Sequence, residues 1–199
     1  MVRIATAAAV GAAWLLPALK QRSSHPGAAR VDLSTVATAD ELPPHRWDIL
    51  VHYGRHPRRG SQHRQLFADR LVAVCAAAAR RRSSAPILRL SQLDVTERDL
   101  GLTTHRRAGG QLVFDDALAM LEAAAAGVGV AIATETAAQP YLASGRLVRA
   151  TEVVLTGQKY FADLSVAGRR KPAASRPFDW LVRHGRGEPP SRAVAVPIR

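Results

Sequence analysis

The stretch Leu112-Val113-Phe114-Asp115-Asp116-Ala117-Leu118-Ala119-Met120-Leu121-Glu122-Ala123-Ala124-Ala125-Ala126-Gly127-Val128-Gly129-Val130-Ala131-Ile132 decides the fold class. Its first three residues read as a buried strand. Asp115 and Asp116 carry side-chain oxygens that can cap the free N–H groups at a helix start. Residues 117–126 are strongly helix-forming, and Gly127 is a helix stop. Residues 129–133 return as a strand, which makes a βαβ unit with a right-handed crossover and places the chain among α/β proteins. The helix is apolar on nearly every face except that of Glu122, which predicts heavy burial against a second lobe.

Outward from this unit, strand-like and helical runs alternate. Residues 31–34, 47–51, 66–67, 71–75, 147–150 and 160–166 read as strands, the second of them entered from the turn at Pro43 and Pro44. A last helix over 173–184 turns Phe178, Trp180 and Leu181 toward a core. Residues 76–82 are too short and basic to classify, and the tail from Gly185, with Pro189 and Pro190, reads as frayed. The first thirty residues support two readings. Arg3, an uncharged run to Leu19 and then Lys20 have the outline of a secretory signal, although Pro17 interrupts it and the small-residue site Gly27-Ala28-Ala29 comes late. Alternatively, residues 2–5 form a strand, Thr6 a turn and residues 8–24 a helix whose Trp14, Leu15, Ala18 and Leu19 face a core.

The 199 residues are 47% hydrophobic and 22% charged, enough apolar material for a buried core. The single cysteine, Cys75, excludes an internal disulfide framework and any multi-thiolate metal site. No apolar run reaches the roughly 18 residues of a membrane span. Aromatic residues are 5% of the chain, too few for the stacking platforms of single-strand readers. The net charge of +12 invites a nucleic-acid reading, but the basic residues are scattered in short clusters beside Gly, Ser or Pro, such as Arg58 with Arg59 and Arg106 with Arg107.

No catalytic set emerges. Cys75 ends an apolar strand, where it acts as a small hydrophobe. His52, His56 and His63 lie close in sequence, yet Gly54, Pro57 and Gly60 argue for a loop and for surface histidines rather than a metal site. Gly127 and Gly129 close a helix and open a strand, the reverse of what a dinucleotide fold needs. Asp116 at the helix start is either a plain cap or part of a small-ligand site, and Thr6 is either a turn residue or a ligand hydroxyl at a cleft mouth.

Several segments in order carry a family resemblance: Val2-Arg3-Ile4-Ala5-Thr6 with Trp14-Leu15-Leu16-Pro17 and His25-Pro26; Trp47-Asp48-Ile49-Leu50-Val51-His52-Tyr53-Gly54-Arg55; Leu66-Phe67-Ala68-Asp69-Arg70-Leu71-Val72-Ala73-Val74-Cys75; Phe114-Asp115-Asp116 leading to Gly127-Val128-Gly129-Val130-Ala131; and Gly145-Arg146-Leu147-Val148, Tyr160-Phe161, Pro172 and Asp179-Trp180-Leu181. Together they resemble the effector-binding domain of LysR-type transcriptional regulators, in the branch of the glycine-cleavage activator and the β-lactamase regulator. The resemblance implies a fold like the type II periplasmic binding proteins: two α/β lobes joined by two crossover segments, with a ligand cleft between them. One lobe would hold residues 1–72 and 152–185 and the other 73–151, within a domain of residues 1–185 followed by a flexible tail over 186–199. It also favours the strand-and-helix reading of the N-terminus.

In such domains the effector is met by the loop after the first strand, the start of the second lobe's helix and the return crossover. The matching positions are Thr6 with Ala7, Asp116 and Tyr160, with the Tyr53-Gly54 loop nearby. The implied function is sensing of a small polar metabolite by a cytoplasmic, non-enzymatic domain with no cofactor, no metal and no membrane partner. It would work as a homodimer or a mixed dimer with a full-length regulator and reach DNA only indirectly. Three departures from the family pattern stand out: the chain starts at the first strand of the sensor, without the winged helix-turn-helix; residues 102–111 are shortened; and Ala117 stands where a pocket serine is common. A secreted solute-binding protein and a basic nucleic-acid-associated protein are the alternatives.

Overall fold

A computed structural model of the chain describes residues 1–23, 30–36, 42–43, 45–56, 60–81, 84–93, 110–152 and 154–187. The possible cleavage site at Gly27-Ala28-Ala29, the pairs Arg58 with Arg59 and Arg106 with Arg107, most of the shortened 102–111 stretch and the Pro189-Pro190 tail lie outside them.

One nine-stranded sheet runs in the order β2-β1-β3-β9-β4-β7-β5-β6, with β8 pairing the end of β4. Strands β1 (Val2–Ala7), β2 (Val31–Val36) and β3 (Ile49–Gly54) are mutually parallel through β1, as are β5 (Ile87–Leu90), β6 (Gln111–Phe114) and β7 (Val130–Thr134) through β5. Between the two groups run the long antiparallel strands β4 (Gln62–Cys75) and β9 (Val154–Leu164). Strand β8 (Val148–Arg149) is a short addition.

Among the described residues two large hydrophobic cores lie along this sheet, with a small third cluster of Ala5, Trp47 and Leu50. One is built from Val2, Ile4, Trp14, Leu15, Ile49 and Val51 together with Tyr160, Phe178 and Leu181. The other is built from the apolar end of β4, Leu71 to Cys75, with Leu88, Met120, Leu121, the inward residues of β7 and Leu147. Strand β4 serves both, with Leu66 and Phe67 in the first core and Leu71 to Cys75 in the second, and the segment after β1 also reaches both, through Val10 and Ala9.

The first residues are strand and helix. Val2 and Leu15 are completely buried, and β1 leads into α1 (Ala8–Val10), a π-helical turn (Gly11–Leu15) and α2 (Leu16–Ser23) without interruption. Thr6 is not in a turn, as the sequence suggested: it continues β1, in register with Thr35 on one side and Val51 on the other. The two apolar runs at 66–67 and 71–75 are one strand, β4, and residues 77–81 form a 3-10 helical turn. The last helix, α6 (Pro172–Gly187), follows a single turn, α5 (Val166–Arg169).

The deciding βαβ unit is present with two corrections. Strand β5 lies between β6 and β7, so β6 is an edge strand; its Leu112 and Val113 are 43% and 61% exposed rather than buried, because pairing covers one side only. Helix α3 (Ala117–Ala125) buries Met120, Leu121 and Ala124 while its other faces stay half-buried or open, so it is not enclosed on all sides. It packs against β5 and β7, α1 and the unforeseen helix α4 (Glu135–Ala143). Gly127 ends α3 at φ +83°, as a glycine stop should. Gly129 is needed for space: a Cβ there would come within 2.3 Å of the Pro86 carbonyl oxygen.

Asp48, 1% exposed, fastens the first core. Its carboxylate accepts from the backbone N–H of Arg3 at 2.8 Å, the Arg3 guanidinium at 3.2 Å and Lys171 Nζ at 2.8 Å, joining β1, the approach to β3 and the loop before α6. Burial alone would raise its pKa, but these donors prevail and hold it below the usual 3.8. The stabilisation is therefore complete above the unfolded-state value and lost as pH falls through the folded one. Asp48→Ala should cost about 2–3 kcal/mol at neutral pH. The difference from wild type in urea unfolding should shrink below about pH 4.

Candidate ligand-binding site

Three of the five sequence-derived positions share one face of the sheet. Thr6 is in register with Val51 in β3, and Tyr53, two residues on, is paired with Tyr160 in β9. Tyr53 and Gly54 therefore belong to a strand and not to a loop. The Tyr53 and Tyr160 rings stand 5.1 Å apart, and Phe67 lies 5.0 Å from Tyr160. The Tyr160 hydroxyl shares a hydrogen bond of 3.2 Å with Thr134 Oγ1. Thr6 is fully buried, and among the described residues its hydroxyl has no hydrogen-bond partner. Ala7 precedes α1 in extended conformation and offers no capping side chain, leaving the first N–H groups of the helix without one.

Asp116 sits at the start of α3, beside the second core. Its Oδ1 accepts from the N–H of Ala119 at 2.8 Å, so capping is a real use of this carboxylate; Asp115 does not cap. The helix it heads packs against α1.

The structure adds a polar group that the sequence reading missed. Asp69, in the middle of β4 and 4% exposed, accepts from the N–H of Arg70 at 2.7 Å and from that of Thr136 at 3.4 Å, so it caps the first turn of α4. Thr134 Oγ1 caps the same helix through Ala137 N–H. Next to them Glu135, 3% exposed, receives Arg70 Nε at 2.8 Å and Arg149 at 2.7 Å. The available signal was a lone acid inside the apolar run 66–75, a position an aspartate rarely occupies unless something answers it.

Burial pushes the Asp69 carboxyl up to about 6; its hydrogen bonds from Thr136 and Arg70 pull the other way, and the Glu135 charge adds to the rise. Burial, reinforced by the Asp69 charge, also raises the Tyr160 phenol well above 10, so it is a neutral hydrogen-bonding group. Hydroxyls, a phenol and a carboxylate of this kind can hold a polar ligand through hydrogen bonds.

The surface reading holds for His56 and His63, which are exposed, and needs correction at His52, a buried residue of β3 with Nε2 3.2 Å from Asp163 and its ring stacked on Phe161. Among the described residues no three His, Cys, Asp or Glu side chains come together as a metal site. Cys75 is buried at the end of β4.

Fold and site together define a ligand-sensing regulatory domain with the architecture of the type II periplasmic binding proteins. The chain belongs to the LysR substrate binding domain family, which it matches over residues 1–186; this is a family of regulators and not of enzymes. It is 32% identical over 180 residues to the HTH-type transcriptional activator AmpR of Pseudomonas aeruginosa, covering 83% of this chain and 60% of that protein. It is 34% identical over 148 residues to AmpR of Enterobacter cloacae, covering 68% and 50%. The chain thus spans about half to three-fifths of these relatives' length. The effector domain of Pseudomonas aeruginosa AmpR superposes with a TM-score of 0.77 at 25% identity, over 92% of this chain and 94% of that one. The effector binding domain of Citrobacter freundii AmpR gives 0.79 at 21% identity, over 92% and 97%, and speaks to the fold alone. Among the described residues no helix is long and apolar enough to cross a membrane.

Because the folded value for Asp69 lies above the unfolded 3.8, the native state holds a proton between about pH 4 and about 6 that the unfolded state has lost. Stability from this residue therefore falls as pH rises through that window. Asp69→Asn should flatten the stability profile between pH 4 and 6. At pH 7 it should gain about 1–2 kcal/mol, the relieved burial penalty less the weaker cap, in chemical denaturation at a series of pH values.

Proposed function

We propose that this chain is the part of a LysR-type regulator that senses a small polar metabolite, held between two lobes against Thr6, Ala7, Tyr53, Asp116 and Tyr160. The lobes would comprise residues 1–72 with 152–185, and residues 73–151, a division the two large hydrophobic cores support except at Ala9, Leu71 and Val72, which join the second core. The observation that carries the reading is the Thr6 hydroxyl, buried and without a partner among the described residues on the face it shares with Tyr53 and Tyr160. Leaving such a group unsatisfied costs about 1–3 kcal/mol, which a ligand's polar atom returns on binding. The uncapped N–H groups after Ala7 add donors beside it.

The role is binding and not catalysis, and it needs no cofactor. The transcriptional activity in the names of the two relatives is carried over to this chain as part of the proposal. A metabolite that prefers one of two lobe arrangements shifts their populations, and the shift passes through a homodimer or a mixed dimer with a full-length regulator to reach DNA indirectly, in the cytoplasm.

A thermal-shift screen of amino acids and cell-wall fragments should find a ligand that raises Tm. Thr6→Val and Tyr160→Phe keep the shapes of the side chains and should each weaken that ligand about tenfold or more. A ligand whose shift is unchanged in both variants, or a screen in which neither class stabilises the protein, would remove this site from consideration.

A further inference from the structure

We propose a second ligand pocket, where the first helix meets α3 and α4, that takes a small uncharged ring bearing one hydrogen-bond donor, of the phenol or indole kind. The cavity measures about 230 Å³. Ala9 and Ala12 form one wall, and Leu118, Ala137, Pro140 and the Tyr141 ring form the others. The space exists because three of these positions end in a methyl group, so three helices meet here without filling the gap. An engineered apolar cavity of about 150 Å³ holds benzene. A space of this size therefore takes one substituted ring. Thr6, Tyr53, Asp116 and Tyr160 are not among the lining residues, and the proposal does not rest on the effector site.

The rim decides the charge of the occupant. Arg146 forks onto Glu122 at 3.0 and 2.6 Å and lies over the Tyr141 ring at 5.0 Å, while the Tyr141 hydroxyl donates to Glu122 at 2.8 Å. This group is neutral as a whole and its carboxylate is occupied, so an anionic ligand gains little from it. Ser144 is the polar atom left to read a ligand. Its hydroxyl donates to the carbonyls of Pro140 at 2.8 Å and Tyr141 at 3.2 Å, and its lone pairs can accept from a phenol O–H or an indole N–H.

One wall belongs to a helix that reaches both cores. Ala9 packs in the second core with Ala137 and Tyr141, and Leu118 packs against it, whereas the neighbours Val10, Trp14 and Leu15 anchor the same helix in the first core. A ring in the pocket therefore adds contacts between that helix and α3 and α4 and favours the arrangement in which the helices meet.

The test uses the 199-residue chain with phenol, indole, benzene and benzoate as probes, read by Tm and by NMR of labelled alanine methyl groups. Phenol and indole should bind more tightly than benzene or benzoate and should move the Ala9, Ala12 and Ala137 signals. Ala12→Leu fills the space from an exposed position and should weaken phenol about tenfold or more, whereas Ala119→Leu, on the open face of α3, should leave binding unchanged. Ser144→Ala should erase the preference for phenol over benzene. Equal phenol binding by wild type and A12L, signal changes confined to other alanines, or no saturable response would overturn the pocket. Tighter binding of benzoate, or a phenol preference that survives S144A, would overturn its assigned chemistry.

Discussion

The antiparallel pairing of β4 with β9 is the constraint on which the molecule depends. It begins at Gln62 opposite Leu164 and ends at Leu71 opposite Val154, and it is the backbone connection between the two hydrophobic cores. A regular strand presents alternate residues to fixed faces, so one strand could not serve both cores and also turn an acid toward α4 without a change of phase. The register shifts between Gln65 and Phe67 and between Ala68 and Arg70 supply that change. Leu66 and Phe67 are consecutive and both enter the first core, and Asp69 becomes buried two residues later.

The polar residues follow from this irregularity. Asp69 emerges beside the start of α4, where backbone N–H groups need acceptors and the helix dipole favours negative charge. Glu135 next to it is answered by two guanidinium groups, whereas Asp69 among the described residues receives hydrogen bonds from Arg70 and Thr136, and its carboxyl shows the cost of burial. Thr6 is the complementary case, a buried hydroxyl that has no hydrogen-bond partner among the described residues.

Much of the architecture was legible because periodicity and punctuation are local. Gly127 as a stop, Asp116 as a cap, the strand over 129–133 and the inward rows of the first and last helices all depend on spacing along the chain. Features set by distant partners were not. Whether Leu112 and Val113 are covered depends on what lies beside β6, and β5 was missed because Ile87-Leu88-Arg89-Leu90 is four residues long with no repeat to mark it. Helix α4 was missed as well; it carries Pro140 at its sixth position, where the ring removes one N–H donor from the helix. The candidate site was legible in part through family resemblance, which pointed to Thr6 and Tyr160. Asp69 went unnoticed because its meaning comes from Thr136, 67 residues away.

The two cores also differ in how the chain reaches them. The second draws, apart from Ala9, on one continuous stretch from Leu71 to Leu147, while the first joins residues 2–67 to residues 160–182. Assembling the first core therefore requires a loop of roughly ninety residues to close, and closure entropy grows with the logarithm of that length. The second core has no closure of that length to make. Trp14 and Leu15 pack with Phe178 and Leu181, residues at the far end of the chain that a ribosome delivers more than 160 positions later.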